Sequence, residues 1–247
     1  MPLAIDSQEA SNAGHRVAAA GAGNPSPLTW SFNNVAGNLL CVIVVATTAP
    51  GTSSLGAVTY NGVAMTLAIS EAWDSAASIV GFYYLVNPAT GSKTVSVAAS
   101  WASVNNPAIL AGAISFSGAN TASPIGATSS NKFDTGSGST TPTAGSITAV
   151  SGNYVLGGGG SGTSGTYTPN AGQSTTFSLS GSDNTAADNL WADYEQSSGS
   201  AINLGFTVPQ DFWGMVAAEI KAASGTSPAA AWQTRPLIPI FPNVPVG

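Results

Sequence analysis

The sequence predicts an all-β protein built as an antiparallel β-sandwich or barrel, with two packed sheets. Three observations predict it. Short stretches rich in Val, Ile, Thr, Tyr and Phe recur along the chain, and Gly, Ser, Thr and Asn bracket them. No segment sustains a helical hydrophobic period over several turns. Charge is scarce: 6% of residues are Asp, Glu, Lys or Arg, against about 25% in ordinary soluble domains. A core held by burial and backbone pairing suits such a composition.

The elements follow in order. Residues 1–27 are rich in Ala, Gly, Ser and Asn, and read as an N-terminal arm or a first edge strand. Strands are expected at 28–33, 38–46, 57–61, 63–70, 78–86, 93–100, 108–117, 145–150, 154–160, 175–180, 190–197, 202–208 and 212–222. Asn61-Gly62 lies between two of them and predicts a tight hairpin, because a type I′ turn needs positive φ at both central residues. In 87–91, Pro88 presets one φ and Gly91 supplies a positive one, so a longer turn is expected. The run 157–166, GGGGSGTSGT, reads as a flexible linker or as a glycine strand pressed against another backbone, and the second is preferred. The segment 212–222 has a helix-compatible pattern but alternates equally well, and is taken as a closing strand.

Residues 28–224 therefore form the sandwich, and 225–247 form a separate arm with five prolines. Proline at this density favours an extended path. Trp232, Leu237, Ile238, Ile240, Phe241 and Val244 are apolar along that path. They predict an arm that packs on a neighbouring subunit.

Composition also limits function. The net charge is −6, with five scattered basic residues, Arg16, Lys93, Lys132, Lys221 and Arg235. A nucleic-acid partner is not expected, since phosphate binding needs a basic face. A surface this poor in charge tends to associate, so a homo-oligomer or a larger assembly is expected. No run of about 20 apolar residues predicts a membrane span. The N-terminus lacks the basic start and apolar stretch of a secretory signal. Cys41 lies in the apolar run LLCVIVVA and reads as a buried small hydrophobe. His15 falls in the Ala/Gly-rich leader, where weak order is expected.

The order VTYNGVAMTL, GFYYLVNPATGSKTVSVA, AGAISFSGANTASPIG resembles a β-sandwich module of bacteriophage virion proteins and bacterial surface proteins. The matching positions are Val58 to Gly62, Tyr83 to Gly91, Thr94 to Val97 and Phe116 to Gly118. The resemblance spans about residues 28–222. It implies a jelly-roll or lectin-like sandwich and carries over no catalytic residue. Joined to the absence of an export signal and to the proline-rich arm, it favours a virion protein made in the host cytoplasm. The role expected is a capsid-decorating or cementing subunit that contacts itself and another virion protein. The alternative is a carbohydrate-binding adhesin module of a tail fibre or bacterial surface.

Candidate chemistry is sparse. No catalytic residue and no cofactor are expected, and the protein is read as a non-enzyme. Asp183 and Asp188, with Asn184 and Asn189, offer hard oxygen ligands but lack EF-hand spacing, so an Asx-rich turn is expected before a Ca²⁺ site. Asp193 and Glu195 share a strand face, and Glu71 and Asp74 flank Trp73. Both pairs read as solvated faces rather than as glycosidase carboxylates. Trp30, Trp73, Trp101, Trp191, Trp213 and Trp232, with Tyr83, Tyr84, Tyr167 and Tyr194, read as core or interface before glycan platform.

Overall fold

A computed structural model of the chain describes residues 1–9, 15–18, 24–48, 51–102, 106–163, 166–180 and 189–223. These residues form strands and turns without helix, and every pairing between strands is antiparallel. Among the described residues, therefore, no helix is long and apolar enough to cross a membrane.

The first half supplies ten strands: β1 (Ala4–Gln8), β2 (His15–Ala18), β3 (Leu28–Asn34), β4 (Leu39–Thr47), β5 (Ser53–Tyr60), β6 (Val63–Ala64), β7 (Thr66–Trp73), β8 (Ser78–Val86), β9 (Gly91–Trp101) and β10 (Ala108–Ser117). The second supplies eight: β11 (Ile125–Phe133), β12 (Thr143–Thr148), β13 (Tyr154–Ser161), β14 (Thr168–Pro169), β15 (Ser174–Ser180), β16 (Asn189–Gln196), β17 (Ala201–Thr207) and β18 (Trp213–Ile220). They build four sheets. One is ordered β3-β9-β5-β6, and the next β1-β10-β4-β8-β7 with β2 also on β10. A third is β11-β18-β13-β16-β15, and the last β12-β17-β14.

The sandwich thus has four layers where two were expected. The reason lies in strands that are apolar on both faces. Along β4, Leu39, Cys41, Ile43 and Val45 point into a central core, while Leu40, Val42, Val44 and Ala46 point into an outer one. Along β18, Val216, Ala218 and Ile220 enter the central core, and Trp213, Met215 and Ala217 enter the third. A strand alternates its side chains between faces. A continuous apolar run therefore needs a partner sheet on each side. The segment expected to close the sandwich is accordingly a buried inner strand, flanked by β11 and β13.

Glycines set the spacing at the centre. The run 157–160 is strand, not linker, and is fully inside. A Cβ on Gly158 would lie 2.5 Å from the Trp191 carbonyl oxygen and 3.0 Å from Ile43 Cδ1. Aromatic side chains use other glycines as seats. The Phe177 ring lies 2.6 Å from where a Gly112 Cβ would be, and the Trp73 ring covers Gly214 in the same way.

The turns follow their residues. Asn61 and Gly62 have φ of 51° and 77°, and Tyr60 pairs with Val63 across them, as a tight hairpin requires. Asn87 and Gly91 are also at positive φ. Less legible is the β7–β8 turn, where Asp74, Ser75 and Ala76 sit at φ of 52°, 54° and 66°. The carbonyls of Ala76 and Ala77 hold the turn, accepting from the Ser53 and Thr48 amides at 2.9 and 3.0 Å. The left-handed conformation costs an L-residue about 1–2 kcal/mol. Ser75 is exposed, so Ser75→Gly is expected to stabilise by about 0.5–1 kcal/mol, after the added freedom of the unfolded chain is set against the relief. A thermal melt checks the sign, and a lowered midpoint would refute it.

The described part of residues 1–27 follows the edge-strand reading. β1 and β2 lie in succession along the edge of β10, with Ala4 opposite Ser117 and Ala111 opposite His15. His15 is therefore part of a sheet, not of a weakly ordered leader. Its ring stacks on Trp30 with centroids 4.7 Å apart and planes 16° apart. The alanines and glycines around it in the sequence give this strand no apolar alternation to read.

Candidate functional site

Carboxylates in this charge-poor chain join its layers. Asp6 on β1 accepts from the Val35 and Ala36 amides at 3.1 and 3.0 Å and from Ser115 Oγ at 3.0 Å. It ties the N-terminal strand to β10 and to the β3–β4 turn. Burial pushes its carboxyl up, but the bonds from Ala36, Ser115, Gly37 and Ser7 together outweigh it and hold it below the usual range. Glu9 accepts from Trp30 Nε1 at 2.9 Å and lies 3.3 Å from His15 Nε2. Glu71 accepts from Ser130 Oγ at 2.7 Å, which bridges β7 in the second layer to β11 in the third. Lys132 lies 3.1 Å from Asp134 and 3.8 Å from Glu71, and donates to the Ala72 carbonyl at 3.0 Å.

Glu219 is the most connected. It accepts from Asn153 Nδ2 at 2.6 Å, from the Val150 amide at 3.0 Å and from the Ala127 amide at 3.2 Å. Burial works against its charge, yet those bonds and Lys221 bring its pKa below the usual glutamate value. Gly126 has no side chain where the carboxylate sits, and a Cβ there would collide with it. The β11 bulge between Ile125 and Thr128 is thereby pinned to β18.

The remaining acids differ from expectation in one respect. Asp193 and Glu195 do lie on one face of β16, but Asp193 is fully buried rather than solvated. The face turns inward because the fourth layer covers it. Asp74 is held above the usual range by burial first and then by Asp211 and Asp134. Among the described residues, no group of three or more His, Cys, Asp or Glu is placed to hold a metal ion. Asp183 and Asp188 lie outside the described residues. Cys41 is a free, fully buried thiol, and burial lifts its pKa far above the ordinary range.

The described tryptophans serve packing. Trp73 and Trp191 are no more than 1% exposed, and Trp30 and Trp213 are also buried. Tyr167 stacks on Trp191 at 4.7 Å. Tyr83 is buried, whereas Tyr84 and Tyr194 are half-buried beside the central core.

The C-terminal strand ends at a fastened point. Ala222 pairs with Ala119, its amide donates to Asn153 Oδ1 at 2.9 Å, and the Ala223 amide donates to the Gly118 carbonyl at 2.8 Å. A shallow surface hollow of about 460 Å³ opens there, lined by Asn38, Ala119, Asn120, Thr121, Ala122 and Ala223. The arm residues Trp232, Leu237, Ile238, Ile240, Phe241 and Val244 lie outside the described residues.

Fold and site together define an antiparallel β-sandwich protein with polar staples between and within its layers. Comparison of the chain with family models, with curated proteins and with solved structures finds no match.

Proposed function

We propose that this chain is a non-catalytic structural subunit of a bacteriophage particle, a capsid-decorating or cementing protein whose C-terminal arm contacts a neighbour. One observation carries this reading. Among the described residues, the buried members of the three hydrophobic cores run from Leu3 to Ile220, and the last of the described chain is fastened at Ala222 and Ala223. The apolar residues Trp232, Leu237, Ile238, Ile240, Phe241 and Val244 follow in the sequence. Burying Trp232, Ile238, Ile240 and Phe241 is worth roughly 1.5–3 kcal/mol each before ordering costs. Proline lowers that cost by restricting the free chain. A neighbouring copy or an underlying shell protein is the partner that would use them.

Deleting residues 228–247 tests the role. The truncated chain is expected to keep its β circular dichroism and its melting temperature within a few degrees, and to lose oligomer mass or attachment to particles. Assembly and attachment equal to the full chain would refute the arm's role. Loss of the fold would show that the arm belongs to the sandwich, and would refute it as well.

A further inference from the structure

We propose that Asp193 is a proton-operated latch between the third and fourth layers, which close over its neutral acid and loosen when it ionises. The position on β16 sets the geometry. Asn189, Trp191, Asp193 and Glu195 alternate onto one face, and Trp191 lies in the core beneath the fourth layer. Asp193 pairs with Gly157 on β13, and Leu204 of β17 sits 3.0 Å from where a Gly157 Cβ would be. The fourth layer thus covers this row.

The carboxyl is fully buried, and no other residue donates a hydrogen bond to either oxygen. Thr176 marks the bulge between Thr175, which faces Asp193, and Phe177. It too is fully buried with its hydroxyl unpartnered. An ionised carboxylate in such surroundings costs several kcal/mol unless paired. Among the described residues, no cation on the strands around it is placed to pair it. β13, β15, β16 and β17 carry no Lys, Arg or His. The facing residues of β13 and β18 are Gly157 and Ala217, and Glu219, one register step along, is engaged elsewhere. β15 offers Thr175 and Thr176, and β17 offers Leu204. Glu195 on the same strand adds like charge. Burial first, and Glu195 after it, raise the Asp193 pKa well above the usual range against the pull of its own backbone amide.

The sign follows. A raised folded pKa means the native state binds the proton more tightly. The contribution to stability is complete below about pH 4, where the unfolded group titrates. It is lost as pH rises toward the folded value, at a tenfold change in the folding constant per pH unit.

Asp193→Asn keeps the shape of the neutral acid and removes the titration. Denaturant unfolding of the full chain from pH 4 to 8 is expected to show wild type losing stability with pH relative to Asp193→Asn, with the variant the more stable at pH 7. Amide exchange over 201–207 in wild type should quicken with pH beyond the intrinsic rate, while 95–97 in the first layer should not. Parallel pH profiles for the two proteins would overturn the latch. Should the variant fail to fold, ¹³C-carboxyl NMR of aspartate-labelled wild type decides. An Asp193 resonance, told apart from the likewise raised Asp74 by loss of the latter in Asp74→Asn, that stays protonated above the ordinary range and titrates with the exchange over 201–207 supports the latch, and its ordinary titration overturns it.

Discussion

Gly158→Val is expected to destabilise the protein by about 3 kcal/mol or more, enough to abolish folding in a marginal domain. The strand β13 runs between β16 and β18 in the third layer, with the second layer packed on one face and the fourth on the other. A Cβ on Gly158 meets the Trp191 carbonyl oxygen at 2.5 Å and Ile43 at 3.0 and 3.1 Å. The carbonyl belongs to a paired strand and cannot rotate away. Relief requires moving β13 from β16, which lengthens ladder bonds, or lifting β4, which opens the central core. Gly160 repeats the constraint against the Asn189 carbonyl oxygen and Val45. Gly62→Ala is the control. Nothing lies within 4 Å of its Cβ, so only its φ of 77° matters, at about 1 kcal/mol. Urea unfolding of both variants gives the comparison, and equal losses would show that packing at β13 is not the constraint.

Glu219→Ala is expected to cost about 3 kcal/mol and to flatten the acid side of the stability curve. The substitution strands the Val150 and Ala127 amides and the Asn153 side chain in a site only 6% exposed. Each buried donor left without a partner costs about 1–3 kcal/mol. Because the folded pKa of Glu219 is lowered, its contribution is present above the unfolded value of about 4.3. It is lost as pH falls through the folded value. Asp6 acts in the same sense. Wild type is therefore expected to lose stability below about pH 4, and Glu219→Ala to lose less of it over that range. Acid titrations of the two by circular dichroism that run parallel would remove Glu219 from the account. This acid limb is opposite in sign to the effect of Asp193, and the two variants separate them.

Most of the strands were legible because they are apolar enough to betray their period. The exceptions were polar or short. β11 has Ile125 and Phe133 at its ends and mostly small or polar residues between, and only its pairing with β18 makes it a strand. β1 and β2 were obscured in the same way, since they lie on β10 and their own sequence is small and polar. The staples were illegible altogether. Nothing about Glu219 as a letter in a chain distinguishes it from Glu195. Its role depends on Asn153, Val150 and Ala127 arriving from other parts of the chain.

The sequence by itself determined the class of fold, the hairpin at Asn61-Gly62, the burial of Cys41 and the strand character of the glycine run. Those depend on local sterics and on alternation, which neighbouring residues set. Only tertiary structure decided that there are four layers, that 212–222 is an inner strand, and that Asp193 faces a core instead of water. A strand's pattern states that a face is buried or exposed on average, but not which sheet covers it. For a polar residue such as Asp193, the covering layer alone decides whether it meets solvent, and that layer is assembled from residues 143–148, 168–169 and 201–207.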